Sequence, residues 1–414
     1  MKINDKDIII LRTLAEKIKK ISEDPVQKEL IGLWKDLNSL KPRRPMFMID
    51  QIPWHEMNIN DELTLKTSDP FLREIEDYLR KTIYRWEHMR TDLVITDELI
   101  VPKVFKNTGF GIEIKEEIAV TDPANDVVGH SYEDQIKSEK DIEKIHTPEI
   151  SLDIDATSER EEICRKIFDG ILKVRMQGFL PSFAPWDVIT QWHGVENTLV
   201  DLAERPEFMH RFVDHLTNCY LKMLDNLEKK GFLGHHQTEI HCTGAWTDEL
   251  PKPGFNPEKP RTCDLWTFGM AQIFGFVSPK MHDEFEIPYM QKIYSRFGLG
   301  YYGCCEPLDD RIDLIRKIPN VRKISMSPWV NEKRGAEHIK NDFVFSRKPP
   351  PSFVAKDHFN EKEVEEDLKK TIKICKENNC PLELILKDIS TVRYEPQRLY
   401  RWAEIARRLV TEEF

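Results

Sequence analysis

The sequence predicts an α/β protein with a (β/α)8 barrel of the TIM type, and three observations carry that expectation. From residue 171 to the C-terminus, strand-like and helix-like runs alternate, which implies a parallel sheet with right-handed crossovers. The number of strand-like runs approaches the eight of a closed barrel. No Gly-x-Gly-x-x-Gly follows any of them, so the main mark of a dinucleotide-binding sheet is missing.

Taken in order, two amphipathic helices at 6–22 and 24–37 form an N-terminal helical extension, residues 1–43, ahead of a barrel over 44–414. An apolar first strand is expected at 46–52. Asp69-Pro70 then reads as an N-cap with proline at the first helical position. Residues 101–120 read as paired strands. Residues 122–162 are strongly charged and poor in aromatics, as in a surface insertion or a lid over one barrel end. Beyond 171, strands are expected at 175–183, 238–242, 299–304, 322–327, 342–346 and 382–389. Helices are expected at 188–202, 206–229, 309–317, 361–378 and 396–410, with another opened by Ser278-Pro279.

Composition narrows the function. The 414 residues are 40% hydrophobic and 32% charged, enough for a sizeable core. A formal charge of −11 argues against a general nucleic-acid binder and against binding to anionic membranes. The N-terminal segment lacks a secretory apolar region, and no run approaches the ~20 apolar residues of a membrane span, so the cytoplasm is expected. Eight cysteines in so long a chain do not suggest a disulfide scaffold; they are core thiols, metal ligands or nucleophiles.

Three stretches together resemble the uroporphyrinogen decarboxylase superfamily, which also holds cobalamin-linked methyltransferases. They are Gln177-Gly-Phe-Leu-Pro-Ser-Phe-Ala-Pro-Trp186 with the helix after Arg205-Pro206, the run from Val277-Ser-Pro to Pro288-Tyr289, and Tyr302-Gly-Cys-Cys-Glu-Pro307. The similarity spans roughly 44–414. True porphyrinogen decarboxylases carry an arginine-rich segment after the first strand that grips carboxylates. Residues 49–56 here contain no arginine, which points toward the methyltransferase members.

The resemblance implies an active site at the strand C-termini. Glu239 and His241, two apart on an expected strand, project to one face as a metal half-site, or as a hydrogen-bonded pair. Metal-dependent relatives place His-x-Cys where this chain has Gly303 and Cys305. Zinc would then take Glu239, His241 and Cys305, with Cys304 as substitute; two small thiols packing the interior is the alternative. His193 is a candidate general acid beside Glu239 and His241. Trp186, Trp266, Trp329 and Lys348 are candidate substrate contacts. The implied activity is methyl transfer from a small donor, such as an O-methyl aromatic compound, with zinc polarising the leaving oxygen. The acceptor is a separate corrinoid protein carrying cobalamin, because no Asp-x-His-x-x-Gly string occurs here. A metal-free decarboxylase or lyase and a non-catalytic binding barrel are the other readings.

Overall fold

The computed structural model describes residues 4–120, 123–125 and 128–412. Among them, eight parallel strands carry the architecture: β1 Met46–Ile49, β2 Glu98–Pro102, β3 Lys173–Gln177, β4 Trp266–Gly269, β5 Leu299–Tyr302, β6 Val321–Met326, β7 Val344–Arg347 and β8 Leu382–Leu386. Six form one sheet in the order β1-β8-β7-β6-β5-β4, every neighbour parallel. The other two, β2 and β3, pair in parallel with each other. Single backbone bonds join the flanks of this pair to both edges of the larger sheet: Asp92 N donates to Phe47 O at 3.0 Å, and Phe183 N to Phe268 O at 3.1 Å. The fold is therefore α/β around a central parallel sheet, and one continuous eight-stranded ladder is not among the strand pairings of the described residues.

Strands β1, β5, β7 and β8 are buried at every position, as expected for strands covered on both faces. Helices pack over them. Asp69 accepts from Leu72 N at the start of Pro70–His88, and the Ser278 side chain caps Pro279–Phe285 by accepting from Met281 N. Each such cap contributes about 1 kcal/mol. Helix Asp5–Ser22 covers β2 and β3 together with Pro70–His88 and Ile154–Phe168, a second apolar cluster beside the main core. No helix among the described residues is long and apolar enough to cross a membrane.

Two local expectations are corrected. Within 101–120 the strands do not pair with each other. β2 joins β3, Phe105–Asn107 runs antiparallel to Ile150–Leu152, and Glu116–Ala119 runs antiparallel to Gly129–Tyr132. Partner choice here is set by non-local burial, which a local pattern does not encode. The 188–202 helix is two helices, Pro185–His193 and Val195–Glu204, broken at Gly194 with φ +79°.

The charged stretch expected as an insertion is ordered where described, though residues 121, 122, 126 and 127 lie outside the described residues. Ile136, Ile142, Ile145 and Ile150 are buried in the main core. Asn125 Nδ2 donates to Ser390 O at 2.9 Å, which brings the stretch to the loop after β8, at the C-terminal rim of the sheet.

Candidate active site at the C-terminal end of the sheet

Polar side chains at every second position along buried strands form a column through the interior. At its base Lys323 of β6 and Glu383 of β8, both fully buried, pair at 2.7 Å. Thr243 bonds into the pair: its hydroxyl donates to Glu383 at 2.6 Å and accepts from Lys323 at 3.1 Å. Lys323 also donates to Gly244 O at 3.0 Å. Above this, the buried Lys348 ammonium donates to Ser346 Oγ at 2.7 Å and to the Tyr301 hydroxyl. Burial lowers Lys348 to about 8.

At the top, just past the ends of β5 and β8, Lys387 Nζ donates to Cys304 Sγ at 3.2 Å and lies 3.5 Å from His241 Nε2. Cys304 Sγ is 3.5 Å from Cys305 Sγ, and Cys305 donates to Asp388 Oδ2 at 3.7 Å. The Cys305 hydrogen bond and the nearby Lys387 charge lower the Cys304 thiol, despite its burial. The same contact raises Cys305. Cys304 is thus the more acidic thiol of the pair and Cys305 the less acidic one. Lys387 is held charged, its burial outweighed by the Cys304 and Asp388 charges.

His241 reaches this cluster through a strained turn. The expected 238–242 strand ends at Ile240: Glu239–Ile240 folds back on Thr243–Gly244 as a two-residue hairpin. His241 and Cys242 form its tip, with φ +43° and +67°. Positive φ at both central residues is the geometry that Asn-Gly usually supplies, and non-glycine residues there store strain. Thr243 and Gly244 are tied to the Lys323–Glu383 pair, and Asn38 donates to Gly244 O and Trp246 O at 3.0 and 2.8 Å. Gly244 packs so closely on Trp34 that a Cβ there would overlap the indole. The imidazole stacks on Phe268, centroids 3.9 Å apart and 11° between planes. Burial, then Lys387 and Lys348, depress His241 to about 2, so it is neutral in the site.

The other candidates disperse. Glu239 is exposed, with Arg85 and Asp50 as charged neighbours. Both nitrogens of His193 are engaged elsewhere, Nδ1 at 3.0 Å from Asp134 and Nε2 at 2.7 Å from Asp201, tying the charged stretch to the helices. Trp186 and Trp266 are fully buried, their indoles donating to Phe285 O and Ala245 O. Trp329 is 77% exposed beyond β6. Lys348 does lie inside the column. A surface cavity of about 540 Å³ lined by Arg43, Arg44, Arg90 and Arg407 adjoins the N-terminal end of β1, away from the thiols.

A zinc ion with ligands at about 2.0–2.3 Å needs donor atoms within roughly 4.6 Å of one another. Glu239, His241 and Cys305 do not meet this: among the described residues the group with ligand atoms inside 4.8 Å is Glu62, Glu87 and His88, on the surface. Around Cys304 and His241, the Lys387 ammonium contacts both donors, a cation where a metal would have to sit. The arrangement therefore does not fit zinc as it stands. Gly303, where relatives are expected to carry histidine, has φ +89°, and a Cβ there would collide with Leu308.

No protein-family model matches the sequence, and no curated protein matches it. Among solved structures the chain is similar to a methyltransferase from Methanosarcina mazei, at 11% identity and a TM-score of 0.49, over 92% of this chain and 98% of that one.

Proposed function

We propose that this chain is a methyltransferase that takes a methyl group from an O-methyl aromatic donor and passes it to the corrinoid of a separate protein, with its centre at the Lys387–Cys304–His241 cluster. The observation that carries the reading is the buried Lys387 ammonium at the C-terminal end of the sheet, 3.2 Å from Cys304 and 3.5 Å from His241. Ether oxygen is a poor leaving group unless its developing charge is met. Lys387 supplies that charge and a proton: as the methyl carbon–oxygen bond breaks, the electron pair goes to oxygen and the Lys387 proton follows it. Lys348 adds a second cation to the same column, with Glu383 the fully buried counter-anion. The stacked rings of Phe268 and the neutral His241, with Tyr301 edge-on to the imidazole, give the cluster aromatic surroundings suited to an aromatic donor.

In this reading ammonium does the work that the sequence assigned to zinc. The cobalamin of the partner supplies the methyl-accepting nucleophile, and the chain's own residues hold the donor and its proton. The test incubates purified protein with methoxylated aromatic compounds, with and without a reduced corrinoid protein, and follows cobalt methylation by absorbance. Donor demethylation that requires the corrinoid protein supports the reading; equal donor consumption without it, or none with it, overturns it.

A further inference from the structure

The adjacent thiols carry a second chemistry. Cys304 and Cys305 lie with Sγ atoms 3.5 Å apart, one facing the Lys387 ammonium and the other facing Asp388. We propose that this pair is a peroxide-oxidisable vicinal dithiol, a reversible modification site in which Cys304 is the attacking thiol and Cys305 the resolving one. The inference stands on the placement of the two sulfurs and does not rest on the methyl-transfer reading.

The steps balance. Cys304 sulfur attacks one oxygen of hydrogen peroxide; the S–O bond forms, the O–O bond breaks, and hydroxide leaves. Cys304 is then a sulfenic acid. Cys305 sulfur attacks Cys304 sulfur, the S–S bond forms, and the hydroxyl leaves as water with the Cys305 proton. Two electrons pass from the two sulfurs to peroxide. The sulfurs start 3.5 Å apart and the closed bond is about 2.05 Å, so the two side chains turn toward each other and the short ring takes up strain. Cys304 is 7% exposed and Cys305 half-buried, so a small oxidant reaches the pair more readily than a bulky disulfide does.

Reversibility follows from covalent geometry. Adjacent residues on a trans peptide have Cα atoms about 3.8 Å apart, below the usual ~4.4–6.8 Å span of a disulfide. The bond is strained, and strained disulfides are the readily reduced ones. Oxidation also takes Cys304 sulfur away from Lys387, so the state of the pair resets the charge balance at the top of the column.

The test treats the full chain with a small excess of hydrogen peroxide and counts thiols after denaturation. Two of the eight cysteines should disappear, with a mass loss of two hydrogens on the peptide holding Cys304 and Cys305, restored by a dithiol reductant. In Cys305→Ser, Cys304 should stop at a sulfenic acid that dimedone traps. In Lys387→Met, oxidation of Cys304 should slow severalfold at neutral pH and approach the wild-type rate at high pH, a pH profile that a merely structural lysine would not produce. Wild-type Cys304 that labels with dimedone or reaches sulfinic acid while Cys305 stays free overturns the proposal, as does thiol loss confined to other cysteines.

Discussion

Lys387 Nζ stands 3.2 Å from Cys304 Sγ, and the two come from strand ends 83 residues apart in sequence. The contact lies where a parallel sheet presents its chemistry, at the C-terminal ends of its strands. It places a buried cation against a soft nucleophile.

That contact predicts the reactivity of Cys304. In the wild type, iodoacetamide should modify Cys304 faster than Cys305 at neutral pH, because the thiolate is the reacting form. Lys387→Met should slow the modification severalfold at pH 7, with the difference vanishing as pH rises past the ordinary thiol range. Peptide mass spectrometry reads both rates. Equal rates in wild type and variant at pH 7 would remove Lys387 from the account.

The hairpin tip predicts a trade of stability against activity. His241→Asn with Cys242→Gly gives the turn its preferred residues and should stabilise the fold by about 1–3 kcal/mol, while abolishing turnover. The pH dependence should change as well. Folded His241 stays neutral down to about 2, whereas free histidine protonates near 6.5. The unfolded chain therefore binds the extra proton first, and stability falls as pH drops below about 6.5. The variant should lose the His241 share of that limb while the buried His282 keeps its own, so thermal melts from pH 7 to pH 4 should show a shallower fall than in the wild type.

Much of the parallel α/β fold was legible, because alternation and caps such as Asp69-Pro70 and Ser278-Pro279 are local signals. The site was legible only in part. His241, Lys348 and the Cys304–Cys305 string stand out by residue type, whereas Lys387, a single lysine ending a mostly apolar strand, does not. Its signal is there: Lys323-x-Ser325-x-Ser327, Ser346-x-Lys348 and Glu383-x-x-x-Lys387 put polar groups at even spacings, on one face of largely buried strands. Glu239 misled, since the strand assumed to carry it beside His241 turns at Ile240; turn type depends on φ values that residue identity alone does not announce. The pairing of Glu98–Pro102 with Lys173–Gln177 was hidden by the long charged stretch between them.

The Lys323–Glu383 pair anchors the hairpin. Glu383→Gln or Lys323→Met alone leaves a buried charge uncompensated and should cost about 3–5 kcal/mol in denaturant unfolding. Lys323→Met with Glu383→Leu should recover part of that loss, since Lys348 still lacks its counter-anion, and lower turnover, because Thr243 loses its partners. A double variant as unstable as the singles would contradict this role.

The position of Lys387 also predicts how the protein behaves toward zinc. With the ammonium in contact with both Cys304 and His241, the wild type should take up little zinc; Lys387→Met should bind it more tightly, measured by calorimetry on metal-stripped protein. Tight stoichiometric zinc in the wild type, unchanged in the variant, would mean that the donors rearrange around a metal despite the lysine.

The most direct measurement follows a single turnover of isotope-labelled methyl from a methoxylated aromatic donor to a reduced corrinoid protein, comparing wild type with Lys387→Met. The account predicts label on cobalt with the wild type and a rate lower by about 10²-fold or more in the variant, with donor binding retained. Transfer by Lys387→Met at the wild-type rate would contradict it.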